Sequence, residues 1–267
     1  MKIYTNVKYL IFAVTLTFTT VQAEEIKNSM DVILASGKQM SNMRKMLETY
    51  SLIATEVSYK SPDERLKISI AEYEGIINDI DKNFEDKYIK ESIKKSKEAW
   101  KPVKIALLTA LENNDAKRLE KEGLFIHANI RSVIKELASM KKYLVKKEKV
   151  GDSEMLNASI EIGASARRLS AHYMMRMWGL PDPTIEKHWD NGVAIYTKSI
   201  KMLKGSVYYK NPEFKKLLDA SEKHLKYFNM VWMFEDKFMP VIVQDRGDKA
   251  YYLANEMSKI ILIEILK

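Results

Sequence analysis

Ala35-Ser36-Gly37-Lys38-Gln39-Met40-Ser41-Asn42-Met43-Arg44-Lys45-Met46 is a small-residue patch running into a basic, methionine-rich segment. Gly163-Ala164-Ser165-Ala166-Arg167-Arg168-Leu169-Ser170-Ala171-His172-Tyr173-Met174 is a weaker echo of it. A helix with Gly or Ala beside Arg, Lys and Ser can approach a second helix closely while carrying cationic donors to the contact, one way to build an anion-sized polar site. The alternative is an ordinary amphipathic helix whose Lys and Arg are solvated.

Working outward, Met30, Ile33, Gly37, Met40, Met43, Leu47, Tyr50, Ala54 and Val57 recur in steps of three and four, which predicts one long helix with a coiled-coil-like seam. Ser61-Pro62-Asp63-Glu64 reads as an N-cap, a proline at the first helical position and a glutamate closing a capping box. A second helix follows through Leu66, Ile70, Tyr73, Ile77, Ile80 and Phe84. The third runs from Ile89 to Ala110 with a kink expected at Pro102, and Asn113-Asn114-Asp115 separates it from the fourth, which has the cleanest face: Leu119, Gly123, Ile126, Ile130, Val133, Leu137, Met140 and Leu144. Lys146 to Ser153 then loses its face and reads as a boundary, with a continuous helix through this point as the alternative.

A second set of four begins at Leu156 and ends its first helix at Gly179-Leu180-Pro181-Asp182-Pro183, with Asp182-Pro183 expected to cap the sixth. Asn211-Pro212 opens the seventh, expected to reach Phe238; Met239 to Gly247 reads as the longest irregular connection, and Asp248 as the cap of the last helix. The halves correspond at landmarks: Gly37 with Ala164, Lys45 with His172, the Pro62 turn with the Pro183 turn, and Asn113-Asn114-Asp115 with Arg246-Gly247-Asp248. Short polar turns between seams make up-down four-helix bundles the economical arrangement. The expectation is an all-α chain of two tandem antiparallel four-helix bundles, over residues 24–150 and 151–267.

Composition agrees with that class. Of 267 residues 30% are charged, with 9 Gly, 6 Pro and no Cys, so disulfides and thiolate metal sites are excluded. The net charge of +8 is spread among interleaved Glu and Asp and does not indicate nucleic-acid binding. Met1 to Ala23 has Lys2 and Lys8 ahead of Tyr9-Leu10-Ile11-Phe12-Ala13-Val14-Thr15-Leu16 and small residues at Val21-Gln22-Ala23, which reads as a secretory signal peptide cleaved after Ala23; an uncleaved anchor is the alternative. The later apolar run from Ile260 to Leu266 is interrupted by Glu264, so no stable membrane span is expected after cleavage, and the mature protein is expected to be exported or periplasmic.

No metal or cofactor is expected. Di-iron bundles use Glu-x-x-His, and none of His127, His172, His188 or His224 has Glu three residues before it. A non-covalent Met/His haem site is the remaining cofactor alternative. His127 is expected at a bundle edge, and His188 and His224 in solvent or at helix edges. No nucleophile elbow, P-loop or dinucleotide fingerprint occurs, so the chain is expected not to be an enzyme. Glu72, Glu74 and Asp79 read as solvated charges. Trp178, Trp189, Trp232, Tyr173 and Tyr196 read as core or as an aromatic pocket.

The paired stretches resemble the PilJ-type sensor module, the N-terminal region of type IV pili methyl-accepting chemotaxis transducers, related to NarX-like nitrate sensors. Its hallmark helix reads roughly A-G-R-Q-R-M-L-S-Q-R-M-A-K. The first half keeps Gly37, Lys38 for Arg, Gln39, Lys45 for Arg, and Met46; the second keeps Arg167, Leu169 and Ser170, with Ala164 for Gly and His172 for Arg. The resemblance extends loosely over residues 30 to 145 and 156 to 266, and implies an extracytoplasmic ligand-sensing bundle. In the nitrate-sensor branch an arginine of the hallmark helix meets its twin across a dimer and holds the anion; that position is Arg167 in the second half and Met40 in the first.

The functional expectation is non-enzymatic recognition of a small polar or anionic ligand. Arg167, Arg168, Ser170 and His172 serve one half; Lys38, Gln39, Arg44 and Lys45 serve the other; Gly37 and Ala164 allow close packing of the two hallmark helices. With no relay, methyl-accepting region or kinase in the chain, a separate envelope partner receives the signal, and a homodimer is possible. A cell-envelope scaffold is the alternative from another class.

Overall fold

The computed structural model describes residues 26–112, 115–148, 153–234 and 237–265. The signal peptide expected over residues 1–23, Asn113 and Asn114 of one expected turn, and Gly151 and Asp152 of the expected boundary lie outside them. The described residues form eight α-helices and no strand: α1 (Ser29–Ala54), α2 (Pro62–Asn83), α3 (Lys87–Glu112), α4 (Ala116–Lys147), α5 (Ser153–Trp178), α6 (Ile185–Lys204), α7 (Pro212–Trp232) and α8 (Pro240–Ile265). None is long and apolar enough to cross a membrane.

Helix starts follow local chemistry. The Asn28 side chain accepts from Met30 and Asp31 amides, and the Asp31 side chain accepts in return from the Asn28 amide, completing a capping box at α1. Asn211 accepts from Glu213 and Phe214 to start α7 ahead of Pro212. α5 ends in a Schellman turn: Gly179 sits at φ 72°, its amide donates to Arg176 O, and the Leu180 amide donates to Met175 O.

Several expected boundaries are corrected. Ser61 holds the N-cap position ahead of Pro62 as expected, but the expected capping box is not made: it lies in the left-handed region at φ 47° with no side-chain cap bond, and Asp63 and Glu64 stand in the first turn of α2. Asp182 does not cap α6; the N-cap is Thr184, whose amide and hydroxyl both donate to Asp182 Oδ1. α3 continues through Pro102. α7 ends at Trp232 rather than Phe238, and α8 begins at Pro240, so the stretch up to Gly247 is helix and Asp248 is an interior residue, not a cap. The match of Arg246-Gly247-Asp248 to the Asn113-Asn114-Asp115 turn therefore fails.

Gly247 explains the misreading. It stops no helix; a Cβ there would stand 2.2 Å from Ser170 Oγ, so the glycine lets α8 lie against α5. Ser159 and Ser258 exchange a hydroxyl bond of 2.7 Å further along the same contact.

α1 and α5 are the two most enclosed helices and pack on each other. α1 also contacts α2, α3 and α4; α5 also contacts α6, α7 and α8. Gly37 meets Ile160, whose Cγ2 would be 2.6 Å from an added Cβ; Arg44 reaches Ala164 O; Glu48 meets Arg167. Later positions of α1 meet later positions of α5, so the two run parallel. The remaining core is aromatic and aliphatic: Tyr50, Tyr73, Tyr173, Tyr196, Phe214 and Phe228 are fully buried, and Trp189 stacks on Trp232 at 3.9 Å, so these aromatics pack as core.

Candidate functional site

The α1–α5 pair has two polar faces. On one, Asp248 of α8 and Glu48 of α1 meet Arg167 of α5 and Arg65 from the start of α2. Arg167, 5% exposed, donates to Asp248 Oδ1 at 2.6 Å and to Glu48 Oε1 at 3.5 Å. Arg65 lies 3.5 Å from both carboxylates, and Lys60 and the Tyr59 hydroxyl donate to Asp248 Oδ2. Burial opposes the Asp248 charge, yet Arg167, Lys60 and Arg65 hold it well below the usual carboxylate range. Burial pushes the fully enclosed Glu48 carboxyl up to about 7, against the pull of Arg167 and Arg65. This network pairs Arg167 internally, with Asp248 and Glu48.

Lys38 and Lys45 are half-buried on α1. Lys38 lines a cavity of about 90 Å³ with Gly37, Ser41, Ile160, Tyr251 and Asn255, between α1, α5 and α8. Burial lowers the Lys45 pKa, as does nearby Arg167, while Glu72 and Glu48 oppose the shift. Gln39 turns to α2 instead: its Oε1 accepts from Asn42 Nδ2, which also donates to Ser69 O, while its Nε2 has no partner among the described residues. Ser170 is buried against Gly247 with a 3.5 Å bond to Val243 O, at the α5–α8 contact. An open groove of about 390 Å³ near the C-terminal end of α1, lined by Leu52, Val57, Pro62, Ala110 and Leu119 among others, contains none of the expected site residues.

The other face, under α4, is different. Arg44, 6% exposed, makes a 3.0 Å hydrogen bond to Ala164 O, and among the described residues no carboxylate stands within ion-pair distance of it. Half-buried Arg168 likewise has none. Lys141, buried on α4, pairs with Glu161 at 3.3 Å, leaving three cations around one carboxylate. Burial brings the Arg44 pKa down to about 9, with Arg168 adding to the fall and Glu161 opposing it. Burial lowers Lys141 as well, opposed by Glu161 and reinforced by Arg44. Arg168 is lowered by burial and by Arg131. The arrangement can bind an anion, which would supply the charge the protein does not.

Next to Arg168 the structure gathers residues the sequence scattered. His127 Nε2 lies 3.3 Å from His172 Nε2, and His127 Nδ1 lies 2.6 Å from Asp182 Oδ2. His188 completes the group, and its Nε2 contacts Arg131 Nη2. Two expectations are corrected: His127 is 3% exposed rather than at an edge, and His188 is part of a histidine cluster. His224, 7% exposed, is buried too, because Arg246 and the α7–α8 contact enclose it.

Sequence reading thus named Arg44, Arg168 and His172 but missed Lys141, Glu161, His127, Asp182 and His188. Lys141 carried a signal, since it shares the apolar register of Leu137 and Leu144 on α4. The histidines and Asp182 carried none. Comparison of the chain with protein-family models, curated proteins and solved structures found no match.

Proposed function

We propose that this protein is an exported, non-enzymatic sensor-type binding protein that holds a small anion between Arg44, Arg168 and Lys141 and reports occupancy to a separate envelope partner. One observation carries the reading: Arg44 is a buried guanidinium without a carboxylate partner, beside a second guanidinium. Burying such a charge costs several kcal/mol in order of magnitude, and a bound anion offsets that cost. The resemblance to PilJ-type modules supports the same reading, as does the packing of α1 on α5. In this proposal residues 24–150 and 151–267 are two antiparallel four-helix bundles joined along α1 and α5, so that one chain imitates a sensor dimer.

Bromide is a direct probe of the site. Crystals grown with bromide are expected to show an anomalous peak within hydrogen-bond distance of Arg44 and Arg168. Peaks confined to surface lysines, or to the cavity beside Lys38, would reject this location.

A second reading, partner binding without a small ligand, has its own observation. Met230, Met233, Phe234, Val241 and Ile242 are all exposed around the α7–α8 connection. Because the chain has no cysteine, Met233→Cys gives a single cross-linking position. A discrete cross-linked envelope partner in anion-free medium, unaffected by Arg44→Met, would favour this reading.

A further inference from the structure

His127 on α4, His172 on α5 and His188 on α6 have ring centroids 5.3, 5.5 and 5.5 Å apart. The hydrogen bonds fix two tautomers. Asp182 accepts from His127 Nδ1–H at 2.6 Å, and the Arg168 carbonyl, which can only accept, takes His172 Nδ1–H at 2.7 Å. In their neutral forms both rings then turn an Nε2 lone pair toward the other, 3.3 Å apart, with no hydrogen between them. Two facing acceptors are repulsive unless a cation lies between them. A shared proton would draw the two nitrogens into ordinary hydrogen-bond range, about 2.7–3.2 Å, and they stand 3.3 Å apart.

A metal ion fits better. With metal–nitrogen bonds of about 2.0–2.1 Å, two nitrogens of a tetrahedral site stand about 3.3–3.4 Å apart and their ring centroids roughly 5 Å apart. The second shell also matches, since ligating histidines characteristically donate their other N–H to a carboxylate or a backbone carbonyl. Asp182 is itself held by the Thr184 amide and hydroxyl, both of which donate to its Oδ1. No three donor groups among the described residues yet converge as a complete metal set, because His188 Nε2 faces Arg131. His188 is half-buried on the first turn of α6, and rotation of its ring away from Arg131 supplies the third nitrogen.

We propose that His127 Nε2, His172 Nε2 and the His188 imidazole bind a late first-row divalent metal ion of the zinc(II) class, leaving a fourth position for water or a small anion. Imidazole-only donors suit this class. Arg131 and Arg168 oppose the dication, and Asp182 offsets part of that opposition.

The test is titration of tag-free, chelator-stripped protein with Co²⁺, followed by its visible d–d absorption and by displacement with Zn²⁺. One equivalent with a tetrahedral-type spectrum is expected. His188→Ala, at a half-exposed position that leaves the core intact, is expected to weaken binding at least 10-fold, and Asp182→Asn about 10- to 100-fold. His224→Ala, outside the cluster, is expected to bind as the parent does. Absence of stoichiometric Co²⁺ and Zn²⁺ binding, or unchanged binding in both His188→Ala and His172→Ala with circular dichroism showing folded protein, would overturn the proposal. Arg44→Met should leave metal binding intact, so failure here is separable from failure of the anion site.

Discussion

Arg167 and Arg44 are both buried on the same helix pair, one on each helix, and they are treated in opposite ways. Arg167 meets Asp248 at 2.6 Å and Glu48 at 3.5 Å; Arg44 meets a backbone carbonyl at 3.0 Å. The first face neutralises its cations from within, and the second leaves them for something else. The difference is set by what covers the α1–α5 groove: α8 and α2 bring Asp248 and Arg65 to one side, whereas α4 brings Lys141, a further cation, to the other. A buried guanidinium therefore does not by itself mark a binding site, and the proposal rests on Arg44 because no carboxylate among the described residues stands within ion-pair distance of it.

The largest effect is expected from Arg167→Met, which leaves Arg65 as the one guanidinium shared by Glu48 and Asp248 and takes from Asp248 its 2.6 Å partner. Removing one member of a buried pair costs about 3–5 kcal/mol. Urea denaturation measures it, and a loss below about 1 kcal/mol would mean that the two faces do not differ as described.

Next comes the close contact of α5 with α8. Gly247→Ala is expected to cost about 1–3 kcal/mol by overpacking, because the new methyl would meet Ser170 Oγ at 2.2 Å. Adding Ser170→Gly should recover much of that loss. Recovery would also establish that Ser170 is a packing residue and takes no part in ligand recognition.

The faces also respond oppositely to pH. Burial lowers the pKa of His172, His188 and His127 on the α4 side, where they face Asp182, Arg131 and Arg168 and one another. The unfolded chain then binds more protons, so their contribution to stability is present above about 6.5 and is lost as pH falls toward about 4, the folded pKa of His188. Glu48 has the reverse sign. Its pKa is raised to about 7, so its contribution is present below the unfolded value and is lost as pH rises through about 7. The two windows overlap between about 4.5 and 6.5 with opposite sign. Glu48→Gln should therefore remove the loss on the way up to pH 7 and leave the histidine loss on acidification uncompensated and steeper, a change on the order of 1–2 kcal/mol readable by denaturation at a series of pH values.

Much of the helical skeleton was legible because its signals are local. Pro62 and Pro212 mark helix starts and Gly179 a helix end, and the three- and four-residue seams give the buried faces. The start of α8 was not legible, since Gln244-Asp245-Arg246-Gly247 looks like a polar turn until Gly247 is placed against Ser170. The site was legible only in part. Arg44 and Arg168 stand within the paired stretches, but whether an arginine is neutralised depends on partners far along the chain: Glu48 is 119 residues from Arg167, and Asp248 is 81. The histidine cluster draws on three helices, with His127 and His172 separated by 45 residues, and no helical periodicity links them.

The smallest loss of stability belongs to Arg44→Met, which removes an unpaired buried charge and keeps a side chain of similar length. In anion-free buffer the relief of that charge is expected to outweigh the lost hydrogen bond to Ala164 O, so the variant should be at least as stable as the parent, whereas Arg167→Met is destabilised. The same variant tests the central claim directly when the melting temperature is followed against rising concentrations of nitrate, sulfate and phosphate at constant ionic strength. The account predicts that at least one of these anions raises the melting temperature of the parent in a saturable way and that Arg44→Met abolishes the rise. Equal responses in parent and variant, or no saturable response to any of the three in the parent, would contradict it.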